Sequence, residues 1–230
     1  MDTVAAHIDG FDLTFHLNAE GCPIQGRHRV GKFYERADLD RLARYMKPGA
    51  YVIDVGANIG NHAIYFATLM GASRVVAIEP NPRAIEALRA NISVNGLGGI
   101  VDLSALGIGL SDRTEGGFGI AERGRNLGAA QMQAGAGDIA VHRGDDLFAG
   151  ERPDLIKIDA EGMEMKVLSG FEAVISDARP ALFVEVDSGN DTAFRHWCAD
   201  LGYAVTFEAR HQAANVNYFV QSASAEGAAC

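Results

Sequence analysis

Between Asp54 and Asn61 the chain reads DVGANIGN, a stretch whose residue types and spacing suit a bound nucleotide. Its candidates are Asp54, Gly56, Ala57, Asn58, Gly60 and Asn61. Glycines let the backbone turn sharply and let a ligand approach the N–H groups at the start of a helix. Nineteen residues after Gly60 stands Glu79, followed by Pro80 and Asn81. A carboxylate at that distance suits the paired hydroxyls of a ribose. Later, Asp159-Ala160-Glu161-Gly162 brings two acids and a glycine together, just after Lys157. Such carboxylates can take a proton from an acceptor hydroxyl, or hold a divalent cation that orients the hydroxyl and lowers its pKa. Simple capping of a helix beginning at Met163 is open as well. Lys157 would counterbalance the acids, or pair with one while its stem lies along apolar neighbours.

These side chains need a scaffold, and the apolar pattern supplies one. Tyr51–Val55 is a short β-branched run that predicts a buried parallel strand, with a helix from Asn61 to Met70. Val75–Ile78 predicts a second strand tipped by Glu79. Pro82 opens the next helix, which carries Ile85, Leu88 and Ile92 inward and closes at Asn95-Gly96. Ile100 to Leu110 predicts a third strand ending near Ser111 and Asp112. Asp154–Ile158 and Ala181–Val186 predict two more strands, the latter tipped by Glu185. Between them lies a helix with Val167, Leu168, Phe171 and Val174 inward; a helix through Phe194, Trp197 and Leu201 follows. Tyr203–Phe207 and Val216–Val220 close the pattern as a hairpin. This alternation predicts an α/β fold: a seven-stranded, mostly parallel sheet with helices on both faces and an antiparallel last strand. Ligands of such sheets gather at the carboxyl ends of the strands. Asp54, Glu79, Ser111, Asp159, Glu161 and Glu185 are all expected there.

The main domain is expected over residues 35–221. Residues 1–34 read as a small β extension, with Ile8, Phe11, Leu13, Phe15 and Leu17 in alternating pieces. Gly31 to Glu35 reads as a hydrophobic anchor or a lid, before a helix with Leu39, Leu42 and Met46 that ends at Pro48-Gly49. Residues 113–150 form a glycine-rich insertion, expected to face the acceptor as a strand pair or a flap. Residues 222–230 read as a frayed tail.

Composition narrows the partners. With 48% apolar and 22% charged residues the chain is ordinary for a globular protein. Its net charge of -10 counts against a nucleic-acid substrate, which calls for a basic face. Cys22, Cys198 and Cys230 form no C-x-x-C, which fits a reducing cytoplasm and excludes a zinc site by spacing. No apolar run is long enough to span a membrane, and no signal pattern opens the chain, so a cytoplasmic protein without a membrane partner is expected. His142, His196 and His211 stand in no metal-ligand spacing. His62 differs, because it follows the glycine turn directly and could touch a cofactor or an acceptor.

Which nucleotide is bound follows from the glycines. A dinucleotide fingerprint, G-x-G-x-x-G, requires a second glycine that Gly56-Ala57-Asn58 lacks. Asp54-x-Gly56-x-x-x-Gly60 is instead similar to motif I of S-adenosylmethionine-dependent methyltransferases. Together, YVIDVGANIGNHAIYFA, VVAIEPNP, PDLIKIDAEGMEMKVLSGF and RPALFVEV resemble the FkbM family of methyltransferases, over about residues 30 to 190. The resemblance implies a class I, Rossmann-like methyltransferase domain that uses S-adenosylmethionine to methylate hydroxyls of sugars or secondary metabolites such as macrolides. It implies that Asp54, Gly56, Ala57, Asn58, Gly60 and Asn61 hold methionine, and that Glu79, Pro80 and Asn81 hold ribose. Ser111 with Asp112 would lie by adenine, and Asp159 and Glu161 would face the acceptor, with Lys157 beside them. The partner implied is a small hydroxylated molecule; a divalent cation and a homo-oligomer are left open. Three rivals remain. A nucleic-acid amino-methylating enzyme would carry an Asn/Asp-Pro-Pro-aromatic turn where Asp159–Gly162 stands. A non-catalytic S-adenosylmethionine-binding protein would have less need of the acids, and an NAD-dependent dehydrogenase would need the missing glycine.

Overall fold

The computed structural model describes residues 2–123, 126–211 and 214–223, leaving aside the side chains of 122, 123 and 126–129. A hairpin of β1 (Asp2–Ile8) and β2 (Phe11–Leu17) comes first, then a short helix α1 (Pro23–His28). Next come α2 (Arg36–Ala43), β3 (Tyr51–Val55), α3 (Asn61–Ala67), β4 (Arg74–Ile78), α4 (Pro82–Val94) and the two-residue β5 (Val101–Asp102). Four strands follow, β6 (Ile108–Leu110), β7 (Glu115–Arg123), β8 (Asn126–Ala134) and β9 (Ile139–His142), and then α5 (Gly144–Leu147). The remainder is β10 (Leu155–Ile158), α6 (Glu164–Gly170), α7 (Glu172–Ala178), β11 (Ala181–Asp187), α8 (Asp191–Asp200), β12 (Tyr203–Ala209) and β13 (Asn215–Ser222).

Seven strands form the central sheet in the order β12-β13-β11-β10-β3-β4-β5. From β11 through β5 the neighbours are parallel, and β13 enters antiparallel between β11 and β12. Successive residues of a strand face opposite sides, and the core divides accordingly. Val52, Val75, Leu155 and Phe183 pack on one face with Ile64, Phe66 and Leu88. Ile53, Val76, Ile156 and Leu182 pack on the other with Leu168, Phe171 and Phe194. Burial on both faces explains why these strands read as continuous apolar runs.

The expected β extension is the β1–β2 hairpin, and side-chain amides of α4 fasten it. Asn95 accepts the Thr14 N–H (2.8 Å) and donates to the Thr14 carbonyl (2.8 Å), while Asn91 accepts the His16 N–H (2.6 Å). Gly21-Cys22-Pro23 leads from this hairpin into α1, with proline in the first turn, where no N–H is required. The single strand expected over Ile100–Leu110 is broken. Asp102 accepts the Ser104 N–H in an Asx turn, and Gly107 turns at φ 90°. β5 therefore ends the large sheet, while β6 joins a second sheet of order β6-β9-β7-β8. That second sheet is what the glycine-rich insertion forms. The helix expected through Val167 and Val174 is two helices, parted at Phe171. The last strand extends beyond Val220 to Ser222, and the tail at 224–230, with Cys230, lies outside the described residues. No helix among the described residues is long and apolar enough to cross a membrane.

Candidate active site

At the carboxyl end of β3, Gly56 adopts φ 74°, and a Cβ there would stand 1.9 Å from the carbonyl oxygen of Asp159. Only glycine lets the chain leaving β10 pass so close. The N–H groups of Gly56 and Ala57 donate to the Ile78 carbonyl (2.9 and 3.0 Å). Asn58, itself left-handed at φ 50°, donates its N–H to Glu79 Oε2 at 2.8 Å. Glu79 Oε1 accepts the Asn81 N–H at 2.8 Å. Each carboxylate oxygen thus holds one backbone N–H and keeps acceptor capacity for another donor. Burial pushes the Glu79 carboxyl up to about 7, more than its two N–H partners pull it down. Asn81 caps α4 by accepting the Arg83 N–H at 3.0 Å, and its Nδ2 is buried without a partner.

These residues form one wall of a cleft enclosing about 620 Å³. Gly109, Leu110, Ile120, Ala130 and Met132 supply the apolar wall opposite the polar residues Asn58, Glu79 and Asn81. The glycine-rich insertion was expected to face the acceptor; it lines the Glu79 cleft instead. Ser111 and Asp112, expected beside the base, do not line it. Ser111 is buried against α6, where a Cβ on Gly170 would meet the Ser111 carbonyl at 2.1 Å, and its hydroxyl donates to Asp112 at 3.0 Å. The break in the third strand moves the lining positions back to Gly109 and Leu110. Gly60 lies outside the cleft too: its φ of 90° and absent Cβ make room for Leu88 beneath the first turn of α3.

A second cavity of about 660 Å³ adjoins the first, sharing Gly56, Asn58, Asp159 and Glu161, and adding Tyr34, Glu35, Ala57, Asn61, His62 and Glu185. Carboxyl oxygens of Asp159, Glu161 and Glu185 lie within 4.8 Å of one another. Burial, and then the negative charge of Asp159, to which it is hydrogen-bonded, push the Glu185 carboxyl up to about 10. Glu185 is therefore protonated at neutral pH, and it lies within β11 and not at its tip.

Two expected site residues lie beneath this surface. Asp54 is fully buried and faces Lys157 across the β3–β10 register, its Oδ1 3.1 Å from Nζ. Lys157 also donates to the carbonyls of Gly56 (2.7 Å) and Val55 (3.1 Å), with Asp159 3.9 Å away. Burial opposes its charge, but Asp54 and Asp159 prevail and hold its pKa above the usual value. Lys157 thus pins the glycine turn from below and pairs with acids as expected, while Asp54, expected to hold methionine, lines neither cavity. Asn61 does line the second cavity, but its amide is engaged with Tyr34. Its Oδ1 accepts the Tyr34 N–H (2.9 Å) and the His28 Nε2–H (3.0 Å), and its Nδ2 donates to the Tyr34 carbonyl (3.1 Å).

Glu35 was not singled out from the sequence. Its carboxylate accepts from Asn217 Nδ2 (2.8 Å) and lies 3.2 Å from His62 Nε2. Burial would raise its pKa, yet His62 and Asn217 bring it below the usual value. Among the described residues, five non-glycine positions have left-handed φ, and three of them (Glu35, Asn58 and Glu161) stand round the two cavities. Backbone strain of this kind concentrates at functional sites. Glu35, directly before a helix, carries no marker of it in the sequence.

The Methyltransferase FkbM domain profile matches residues 54–211. The hexuronic acid methyltransferase AglP of Haloferax volcanii is 32% identical over 142 residues, 60% of this chain and 56% of AglP. A ribosomal protein L11 methyltransferase of Carboxydothermus hydrogenoformans is 42% identical over 59 residues, 26% of this chain and 19% of that protein. The chain thus spans under two thirds of the length of these curated relatives. Among solved structures, the methyltransferase FkbM of Methylobacillus flagellatus KT superposes with TM-score 0.54 at 20% identity, covering 74% of this chain and 43% of the other. Streptococcus pneumoniae Sp1610 in complex with S-adenosyl-L-methionine gives TM-score 0.54 at 15% identity, covering 83% and 73%. At these identities the likeness is one of fold, and the fold is the Rossmann-like one of methyltransferases.

Proposed function

This chain belongs to the FkbM methyltransferase family, and on that premise we propose that it transfers a methyl group from S-adenosylmethionine to a hydroxyl of a sugar or similar small molecule. One observation carries the reading: a cleft fitted to a nucleoside and a cavity rich in hydroxyl-binding groups meet at Gly56–Asn58 and Asp159–Glu161. The residues fit the cofactor. Glu79 has acceptor capacity for ribose hydroxyls, Asn81 has an orphan amide donor, and Leu110, Ile120 and Met132 offer an apolar wall for adenine. Gly56, Ala57 and Asn58 would hold the methionine portion. S-adenosylmethionine supplies an electrophilic methyl on a sulfonium.

The chain's own work is alignment. Asp159 and Glu161 accept hydrogen bonds from acceptor hydroxyls, while the Glu185 proton is shared with Asp159. Lys157 keeps the acid loop and the glycine turn together from below and does not touch the acceptor. A cavity of some 660 Å³ lies within the range of small-molecule sites, and the hexuronic acid methyltransferase relative favours a sugar. A second role for the acids, ligation of a divalent cation, requires Glu185 to give up its proton.

Calorimetric titration with S-adenosylhomocysteine, followed by radiolabelled methyl transfer to glycosides and uronosides with and without magnesium, tests the reading. One saturable site and label recovered as a methyl ether are expected. A response to NADH and none to S-adenosylhomocysteine would overturn it.

A further inference from the structure

His62 and Glu35 stand in the second cavity, beside the acid loop. His62 is the second residue of α3, just after the glycine turn, and only 7% of it is exposed. Its ring is wedged between Phe66 and Phe183, with centroids 6.1 and 6.3 Å away. Nε2 lies 3.2 Å from Glu35 Oε2, at ion-pair distance but outside hydrogen-bonding geometry, so a small ring rotation would complete the bond. Glu35 is fixed in turn by Asn217 from β13 and by the Asn61–Tyr34 clamp next to it in the chain. The chain tolerates a left-handed φ of 55° to put it there, at a strain of about 1–3 kcal/mol. A buried carboxylate against one nitrogen of an imidazole fixes the tautomer, frees the other nitrogen to accept a proton and stabilises the imidazolium that results.

We propose that His62 is the catalytic base that takes the proton of the acceptor hydroxyl, with Glu35 as its positioning residue. This rests on the methyl-transfer reading above. In the step, the acceptor O–H bond breaks and its proton passes to Nδ1 of His62. The oxygen forms a bond to the methyl carbon as the C–S bond breaks, leaving its electron pair on sulfur. The products are a methyl ether, S-adenosylhomocysteine and an imidazolium that returns its proton to solvent.

Charged and titratable groups from every packed element stand round His62. These are Glu35 ahead of α2, His28 on α1, Lys157 on β10 with Asp159 after it, Glu185 on β11, and His211, which pairs with Asp38. Burial lowers His28 to about 4, so it is neutral across the working range. Glu35 is thus the direct anionic partner of the ring.

The test uses the full chain, with His62→Gln and Glu35→Gln as near-isosteric variants. NMR of the His62 ring against pH should show the protonated ring less favoured in Glu35→Gln than in wild type. S-adenosylhomocysteine affinity should stay within about threefold of wild type in both variants. With a uronoside or glycoside that wild type methylates, kcat in His62→Gln should fall by about 10²–10⁴-fold. In Glu35→Gln the rising limb of the kcat–pH profile should move to lower pH along with the NMR midpoint, which a merely structural role would not cause. An unmoved midpoint, or kcat in His62→Gln within tenfold of wild type, overturns the proposal. Wild type that binds S-adenosylhomocysteine but methylates no glycoside or uronoside would instead overturn the acceptor reading on which it rests.

Discussion

Glu79 is a carboxyl held where its charge destabilises the fold until a ligand arrives. Its pKa of about 7 in the folded protein lies above the ordinary carboxyl value. The folded state therefore binds the proton more tightly than the unfolded chain. As pH rises from about 4.5 to 7, Glu79 removes stability, by on the order of 3 kcal/mol. Ribose hydroxyls favour the carboxylate, so S-adenosylhomocysteine should bind more tightly as pH rises from 5 to 7 and release up to one proton near pH 6. Calorimetry in buffers of different ionisation enthalpy measures that proton directly. Glu79→Gln should weaken binding about 10²–10⁴-fold, two charge-assisted hydrogen bonds being at stake. Glu185 acts with the same sign over a longer window, up to about 10. An amide can donate to Asp159 as the protonated acid does, so Glu185→Gln should be at least as stable as wild type in urea at pH 8. Gly56→Ala should lose about 3–5 kcal/mol in the same assay, since a Cβ 1.9 Å from a backbone carbonyl has nowhere to go. The glycine turn at Gly56 and the acid just beyond β4 were legible in the sequence, because the apolar runs of β3 and β4 end there. That Lys157 would pair with an acid was expected, but not that the acid is Asp54, because spacing does not disclose that two residues face each other across neighbouring strands.

Elements whose surroundings match their local pattern could be read directly. β3, β4 and β10 are covered on both faces, and their apolar runs announce it. The β7–β8 hairpin is the strand pair expected as one alternative to a flap; the sequence left the two open, because glycines dilute its alternation and its partner for burial is the Glu79 cleft. Met132 lies directly over Gly109, where a Cβ would come within 2.6 Å of its sulfur. Met132→Ala should therefore weaken S-adenosylhomocysteine binding by about tenfold. The urea midpoint should move little, since β8 belongs to the smaller sheet. A large loss of stability with unchanged affinity would mean that the hairpin supports the fold and not the cleft. Glu35 was hidden for another reason: its partners, His62 and Asn217, come from α3 and β13, far away in the chain.

Across the whole molecule, cofactor and fold are coupled through the central sheet, whose strand ends carry the glycine turn, Glu79 and the acid loop. S-adenosylhomocysteine at a hundredfold its dissociation constant should stabilise the protein by about 2.7 kcal/mol, raising Tm by roughly 5–11 °C for a chain of this size. Differential scanning fluorimetry reads that shift, and its absence would detach the cleft from the fold. The arrangement predicted from alternating strands and helices holds at this scale, including the antiparallel strand. What alternation did not convey is that β13 enters inside the sheet and brings Asn217 to Glu35. This imposes an order on the birth of the protein. During synthesis β11 and β12 must wait unpaired, on the sides that β13 will fill, until residues 215–222 emerge. Until then a nascent chain carries the glycine turn and Glu79 but lacks Asn217, which holds Glu35 in the second cavity.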